Sequence, residues 1–443
     1  MRQRSRTGLL GILLTVALVV AACGDDAAPD TTTGGADDTT AETTATTPDD
    51  TAATTPDTTA GTDTTPAPSD GEPIRIGALT SLTETFTPWG VHVRDGMQLA
   101  VDEINAQGGV DGRMLELVLA DDQSNPEAGV EALERMVEQD GVVAVGGIIS
   151  SDVALATSRA AEELEMPLFL IKAGSEQILT QDSRYTFRTC LPSAPMVGDP
   201  ILQYAQDQGM TSIGAIIADY AWGQAMSASL EDTFAEASEI ELQIEVAPVP
   251  EQDFTTYLRS LEGIAPEMIV ATGHPPGSGA ITIQSADLGF DVPVTGAYTP
   301  FSLIMGGGVA EAAVARYADF KCADHTSEDY QELARRYVEM SENPFMDDDA
   351  VAGYGIVTMV AQAVGEAGDD PVAIAEYLHG QSFDLPGYMF EMAWTEWGEL
   401  SNATIAFDIV GEGPAPEGTN SAGDWYPERL FVSEPLEPYV PGS

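Results

Sequence analysis

Short apolar runs alternate with longer amphipathic segments over residues 74–300, which predicts strands that alternate with helices. Residues 74–79 form the first apolar run and predict a strand. Apolar side chains at helical spacing over 91–107 predict a helix that ends at Gly108-Gly109, where a left-handed residue is favoured. A turn at Asp111-Gly112 and a second strand over 114–120 follow.

The same alternation continues through the next two hundred residues. Helices are predicted at 127–139, after Ser150, at 200–208 and at 225–237, and strands at 142–145, 167–171, 212–217, 241–246, 268–271 and 292–295. Strands that are separated by helices of about ten to fifteen residues predict parallel sheets with helices on both faces. An interruption at 189–192 divides the series, so the pattern predicts two doubly wound α/β lobes.

The N-terminus has the pattern of an export signal followed by a tether. Three arginines precede an apolar run over 9–20 that is too short to span a bilayer as a helix. Small residues then lead to Cys23, as in the bacterial lipobox, which implies lipidation of that cysteine; an ordinary signal peptide with an accidental cysteine is the alternative. Residues 24–73 hold 17 Thr and 12 acidic residues without an aromatic residue, which predicts a disordered tether.

Charge excludes some classes of partner. The formal charge is −55, so the chain cannot gain affinity by neutralising nucleic-acid phosphates, and it has no basic patch for an anionic membrane surface. Only two of the 443 residues are lysines. Such a surface is typical of proteins adapted to salty surroundings, and its self-repulsion predicts a melting temperature that rises with salt.

Enzyme, metal and cofactor motifs are absent from the sequence. The four histidines show no HExxH spacing, and there is no GxSxG, no P-loop and no GxGxxG after a strand. The triplet Asp347-Asp348-Asp349 lacks the alternation and glycine of a Ca²⁺ loop and is interpreted as a solvated helix start. We therefore expect a protein that is not an enzyme and that holds no metal or cofactor.

Four segments carry a resemblance to a known family. Residues 101–129 (with INAQGGVDGR), 148–152 (IISSD), 187–193 (FRTCLPS) and 216–224 (IIADYAWGQ) resemble the type I periplasmic binding proteins, and within them the leucine/isoleucine/valine-binding family of ABC importers. The similarity extends from about residue 74 into WTEWGEL at 394–400. INAQGGVDGR is the most specific of these segments, because its spacing sets a helix end, a turn and the next strand together.

The resemblance implies a fold and a function. Two lobes are joined by a three-segment hinge with crossovers near Thr189, Cys322 and Pro386, and they close on a small ligand. The predicted divisions are 74–189 with 323–386 for the first lobe and 190–322 with 387–443 for the second. The implied function is an exported, monomeric substrate-binding protein, held at the outer face of the cell membrane by lipid on Cys23, that delivers its ligand to an ABC permease. A lipoprotein that senses a ligand and signals on closure without transport is the alternative.

The resemblance also implies which residues contact the ligand. A carboxylate is expected at Ser150 or Ser151, which follow a predicted strand, and at the run Ala173-Gly174-Ser175; plain N-capping is the alternative for the two serines. Trp89 and Trp222, each in a loop before a glycine, are expected to cover the ligand's side chain.

Other positions near the predicted crevice leave the ligand's charge open. His274 is expected to face the crevice, with a structural loop histidine as the alternative. Tyr298 stands where amino-acid-binding members of the family have an acidic residue. The ligand therefore either lacks an amine, or its ammonium group is neutralised by Asp219 or Glu84. Lys172 adjoins the predicted carboxylate run, where it either attracts an anion or forms a salt bridge with a carboxylate.

Cys190 and Cys322 remain after lipidation of Cys23. An even pair of cysteines in an exported chain favours a disulfide, and the crossover assignment places both on adjacent hinge segments. Two separately buried thiols are the alternative.

Overall fold

Five parallel strands form the first sheet. A computed structural model describes residues 71–272, 275–296, 299–306, 310–421 and 425–442. The strands are β1 (Ile74–Thr80), β2 (Leu115–Asp121), β3 (Ala144–Ile148), β4 (Leu168–Leu170) and β5 (Thr186–Arg188), in the order β2-β1-β3-β4-β5. β1, β3, β4 and β5 carry almost only buried side chains, as expected of strands covered on both faces.

A second sheet follows in the chain. Its strands are β6 (Ser212–Ala218), β7 (Glu241–Ala247), β8 (Met268–Thr272), β9 (Val294–Gly296), β10 (Tyr317–Lys321), β11 (Ala406–Glu412) and β12 (Trp425–Val432), in the order β12-β11-β10-β9-β8-β6-β7. β6 to β10 are parallel, whereas β11 pairs antiparallel with both β10 and β12. We refer to the layers built on the first and second sheets as the first and second lobes. The predicted class, two parallel-sheet α/β lobes, is confirmed.

Helices connect and cover the strands. They are α1 (Thr87–Ala106), α2 (Pro126–Arg135), α3 (Ser151–Leu164), α4 (Pro195–Asp207), α5 (Ala221–Ala235), α6 (Thr255–Leu261), α7 (Pro275–Asp287), α8 (Phe301–Gly306), α9 (Ala310–Ala313), α10 (Glu328–Met340), α11 (Asp348–Ala367) and α12 (Pro371–His379). A π-helical turn at Met136–Asp140 continues α2. Asn125, Ser327 and Asp370 cap the helices that follow them by accepting a backbone N–H.

The segment after α1 has the geometry that its glycines predict. Gly109 donates its N–H to the carbonyl of Ile104 and has a φ of 75°. A Cβ at Gly109 would lie 2.0 Å from the carbonyl oxygen of Arg113, so only glycine fits there. Val110 then pairs with Arg113 in a tight antiparallel bridge that leads into β2.

Helix α11 returns to the first lobe and packs along α1. Gly96 and Gly353 allow this close approach, since a Cβ at either residue would lie less than 2.5 Å from a carbonyl oxygen of the other helix. In the part of the chain that the structure describes, α11 is the one helix long and apolar enough to cross a membrane. Most of its apolar window is buried inside the protein, which is the environment of a core helix.

Three segments run side by side between the two sheets. Cys190 and Cys322 are joined by a disulfide, with their Cα atoms 5.3 Å apart. Met389 donates its N–H to the carbonyl of Cys322 at 3.2 Å, and Tyr388 pairs with Ala323. Residues 394–400 continue from the third segment to the edge of the first sheet, where Arg188 donates its N–H to the carbonyl of Gly398 at 3.0 Å. The predicted boundaries of the two lobes stay a prediction.

Candidate functional site

The loop after β3 meets the loop after β4 through one serine hydroxyl. Gly174 and Ser175 both donate their backbone N–H to Ser151 Oγ, at 3.1 and 3.2 Å. Ser151 opens α3 and is buried, so the hydroxyl and the two N–H groups lie at the positive end of a helix dipole. Ser150 is the N-cap residue of α3, but its side chain makes no capping hydrogen bond. The structure therefore brings together Ser150, Ser151 and the predicted run 173–175.

Trp222 reaches this loop from the second lobe. It lies in the first turn of α5, and its ring contacts Gly174 so closely that a Cβ there would be 2.2 Å from Trp222 Cζ3. Any side chain at position 174 would displace the indole. Trp89 lies in the first turn of α1 on the first lobe and is also buried. Both tryptophans thus lie at helix starts rather than in the predicted loops, and Trp222 contacts the other lobe at Gly174.

Residues that were not predicted complete the contact between lobes. Phe86 packs edge-on against Trp89 at 6.1 Å between ring centroids, and it packs at a tilt against Tyr220 of the second lobe at 5.8 Å. The Asp152 carboxylate accepts the Ala221 N–H at 3.3 Å, which ties the start of α3 to the start of α5. Asp152 and Tyr220 belong to the segments IISSD and IIADYAWGQ, and these two motifs were the sequence signal from which the residues could have been predicted.

Two predicted site residues, His274 and Tyr298, lie outside the described residues. The carboxylates considered as alternatives to an acid at Tyr298 are exposed: Glu84 lies in the loop after β1, and Asp219 accepts a hydrogen bond from Gln224 at 3.2 Å.

A cluster of buried charges lies beside the disulfide. Lys172 forms an ion pair with Asp349 at 3.6 Å and Lys321 with Asp348 at 3.2 Å. Asp348 also accepts the backbone N–H groups of Cys322 and Ala323 at 2.8 and 2.9 Å. Lys172 therefore has the salt bridge that was one of its two interpretations.

The interpretation of Asp347-Asp348-Asp349 as a solvated helix start is wrong. All three side chains are buried, with exposed fractions of 0%, 1% and 0%. They are held inside because lysines and backbone N–H groups from distant parts of the chain surround them. Asp347, for example, accepts the Phe301 N–H at 2.7 Å.

The two lysine-paired aspartates have opposite pKa shifts. Burial alone would raise the pKa of Asp348, but Lys321 and Lys172 together hold it well below its usual range. Burial raises the pKa of Asp349 to about 7, because Lys172 opposes the effect only in part and Asp348 and Asp347 add to it. The pKa of Lys321 lies above its ordinary value, since Asp348 and Asp319 outweigh its burial.

One group of possible metal ligands lies close together among the described residues, namely the sulfurs of Cys190 and Cys322 and the Asp348 carboxylate. The two sulfurs are bonded to each other, and the thiolate rather than the disulfide is the metal ligand.

A surface groove of about 980 Å³ lies elsewhere, between α10, the loop 416–421 and β12. It is open to solvent and contains none of the predicted site residues that the structure describes. The candidate site is formed instead by the loops after β3 and β4 and the start of α5, where polar groups and aromatic rings from both lobes converge.

Two α/β lobes that meet over strand-end loops define a two-lobed binding protein of the type I periplasmic class. The family model described as periplasmic binding protein matches residues 73–413. The chain belongs to the periplasmic binding protein family, which consists of solute-binding proteins rather than enzymes. The predicted resemblance is thereby confirmed.

The individual relatives are distant in sequence, but this chain aligns with most of the length of each. The chain is 24% identical over 347 residues to "Leu/Ile/Val-binding protein homolog 3" of Brucella melitensis, covering 76% of this chain and 90% of that protein. It is 22% identical to the "Leucine-, isoleucine-, valine-, threonine-, and alanine-binding protein" of Pseudomonas aeruginosa, covering 74% and 87%.

Solved structures share the fold. The leucine binding protein LivK of Thermotoga maritima superposes with a TM-score of 0.69 at 21% identity, covering 82% of this chain and 99% of that one. A solute binding protein of R. palustris in complex with benzoate superposes with a TM-score of 0.69 at 18% identity, covering 83% and 98%.

Proposed function

We propose that the protein is the lipid-anchored, extracytoplasmic substrate-binding protein of an ABC importer. It captures a small polar metabolite, either of the branched-chain amino acid type or a related carboxylate or amide, and delivers it to a membrane permease. Relatives whose names specify leucine, isoleucine and valine support the amino-acid type, and a relative in complex with benzoate supports a carboxylate without an amine.

The observation that carries this proposal is the convergence of donors on Ser151. The hydroxyl of Ser151 and the N–H groups of Gly174 and Ser175 lie within one hydrogen-bonded group at the start of α3. Because Ser151 Oγ accepts both N–H groups, its own O–H proton remains to be donated, and a carboxylate that accepts it is stabilised further by the positive end of the helix. Trp222 lies directly beside these donors and supplies an apolar wall from the other lobe.

A thermal-shift panel tests the ligand class. L-leucine, L-isoleucine, L-valine, benzoate, urea and acetamide are added in turn, and a bound ligand raises the melting temperature by mass action. Ser151→Ala is expected to lose most of the shift. Ser158→Ala is the matched control, since Ser158 lies on the same helix and its buried hydroxyl bonds Thr186 at 2.9 Å, away from the loop. A panel without any shift would contradict the proposal, and shifts by benzoate alone would assign a ligand without an amine.

The anchor is tested separately. A tether of about fifty flexible residues has a root-mean-square span of about 40 Å, which keeps the folded part near a permease in the same membrane. Mass spectrometry of the membrane fraction is expected to find acyl chains on Cys23, and Cys23→Ser is expected to release the protein from the membrane. An unmodified Cys23 in that fraction would contradict lipid anchoring.

A further inference from the structure

Arg188 at the end of β5 is buried directly behind the loop that contains Gly174. Its exposed fraction is 0%, and its guanidinium donates to the carbonyl of Ala173 and, at 2.7 Å, to the carbonyl of Ser175. Its Nε donates to Glu399 at 3.0 Å. One buried cation therefore contacts the carbonyls on both sides of Gly174 and is neutralised by a carboxylate from a segment far along the chain.

Peptide geometry converts these contacts into an orientation. The carbonyl of Ala173 and the N–H of Gly174 belong to one planar trans peptide and point in opposite directions. Because Arg188 holds the carbonyl, the N–H must point away from Arg188, and this is the side on which Ser151 accepts it at 3.1 Å. The next peptide is held similarly, since the Gly174 carbonyl accepts the Ala194 N–H at 2.8 Å while the Ser175 N–H points to Ser151.

Glu399 keeps the guanidinium in this place. It is 1% exposed, and its second carboxylate oxygen accepts the Leu400 N–H at 3.1 Å. Burial raises the pKa of Glu399, an effect that Arg188 opposes. Trp394 fixes the other side of Arg188 by donating its indole N–H to the Arg188 carbonyl at 2.6 Å. The segments FRTCLPS and WTEWGEL, which carried the family resemblance, thus meet behind the loop that contains Gly174, which we call the ligand loop.

We infer that Arg188, held by Glu399, is a positioning residue for the ligand carboxylate: by holding the Ala173 carbonyl it directs the Gly174 N–H to Ser151 Oγ, and so orients the Ser151 hydroxyl that donates to the carboxylate. The identity of the ligand in this inference rests on the proposed function. The orientation of the Gly174 peptide by Arg188 is a property of the protein alone. Lysine cannot replace this arginine, because a single ammonium lacks the planar fork that reaches two carbonyls and a carboxylate together.

The first test needs no ligand. Amide hydrogen exchange is measured at single-residue resolution in the wild type, Arg188→Lys, Arg188→Met, Glu399→Gln and Arg184→Met. Arg184→Met is the matched control, because Arg184 also donates to backbone carbonyls, those of Gln181, Ser183 and Glu396, but not to the ligand loop. Exchange at Gly174 is expected to become about tenfold faster or more in both Arg188 variants and to remain unchanged in the control. Exchange at Ser175, whose peptide is held by Ala194, should change less. Unchanged exchange in a folded Arg188→Lys would overturn the inference.

The second test separates positioning from general stability. Titration calorimetry compares L-leucine with L-leucinamide, which lacks the carboxylate. In Arg188→Lys the preference for L-leucine is expected to fall about tenfold. Glu399→Gln should show a smaller loss, because the amide oxygen can still accept from Nε. Arg184→Met should keep the wild-type preference. If the wild type binds neither compound, the amino-acid type of ligand is wrong, while the exchange result still decides the positioning. A full preference in Arg188→Lys would refute the link between positioning and binding.

Discussion

Replacing Asp349 with asparagine tests the buried charge cluster beside the disulfide. Asp349 faces Lys172 across 3.6 Å, with Asp347 and Asp348 on its own helix start, Lys321 from β10 and the Tyr388 ring from the third hinge segment. Neither carboxylate oxygen of Asp349 has a hydrogen-bond partner among the described residues. The carboxylate is therefore poorly solvated, and burial raises its pKa from 3.8 to about 7.

The sign of the pH effect follows from proton binding. Below pH 3.8 the carboxyl group is protonated in both folded and unfolded chains and contributes no pH dependence. Between pH 3.8 and about 7 the folded chain binds the proton more strongly, so the free energy of unfolding falls as the pH rises. Above that window both states are ionised and the slope ends. A raised pKa of this size corresponds to about 4 kcal/mol over the window.

Asparagine has no such titration. The difference in the free energy of unfolding, variant minus wild type, is expected to rise by about 4 kcal/mol between pH 4 and pH 8. The attraction between Lys172 and the ionised carboxylate is already contained in the pKa of Asp349, and below that pKa the wild-type carboxyl is neutral like the variant's amide, so the slope stays as stated. Urea unfolding at fixed high salt measures the difference at half-unit intervals of pH, and Asp232→Asn on the exposed face of α5 is the control. A difference that stays flat with pH would refute the assigned environment of Asp349.

Three further predictions concern closure, the disulfide and the surface charge. Gly174→Ala places a Cβ 2.2 Å from the Trp222 ring, so we expect it to cost about 1–3 kcal/mol of stability and to weaken ligand binding. The control Gly263→Ala, whose Cβ meets nothing within 4 Å, should be neutral. Equal effects of the two variants in urea unfolding and calorimetry would contradict the close contact between the lobes. Thiol titration of the denatured, unreduced protein should find Cys190 and Cys322 unreactive, and their double replacement by serine should cost about 4–5 kcal/mol in the loop-entropy account; two free thiols would rule out the bridge. The melting temperature should rise from low salt to about 1 M NaCl because salt screens the net negative charge, and a flat or falling curve would reject this.

The surface charge and the buried charges are connected through the two lysines of the chain. Lys172 and Lys321 are both buried, with exposed fractions of 7% and 0%, and both are paired with aspartates at the start of α11. None of the chain's lysines therefore offsets the negative surface. The lysines instead neutralise carboxylates that the hinge region has removed from water, where an unpaired charge is costly.

The sequence by itself predicted most of the strands and helices over residues 74–300. The strand predicted at 212–217 is β6 (Ser212–Ala218), and the helix predicted at 91–107 is α1 (Thr87–Ala106), because apolar periodicity is a local property. The strand-end rule likewise placed Ser151 and the run 173–175 in one region. Strands β11 and β12 were not assigned individually, since their antiparallel pairing joins residues that no local pattern relates.

Only the tertiary structure decided which polar residues are buried and what they hold. From the sequence alone, an Asp triplet or a single arginine in a core cannot be distinguished from one that is exposed to water. Asp348 and Asp349 are buried because Lys321 reaches them from β10 and Lys172 from the loop after β4. Arg188 fixes the ligand loop because Glu399 arrives from a segment near the C-terminal end. These partners come together only when the two sheets form, so the charge pairs that shape the site are a consequence of packing rather than of any local pattern.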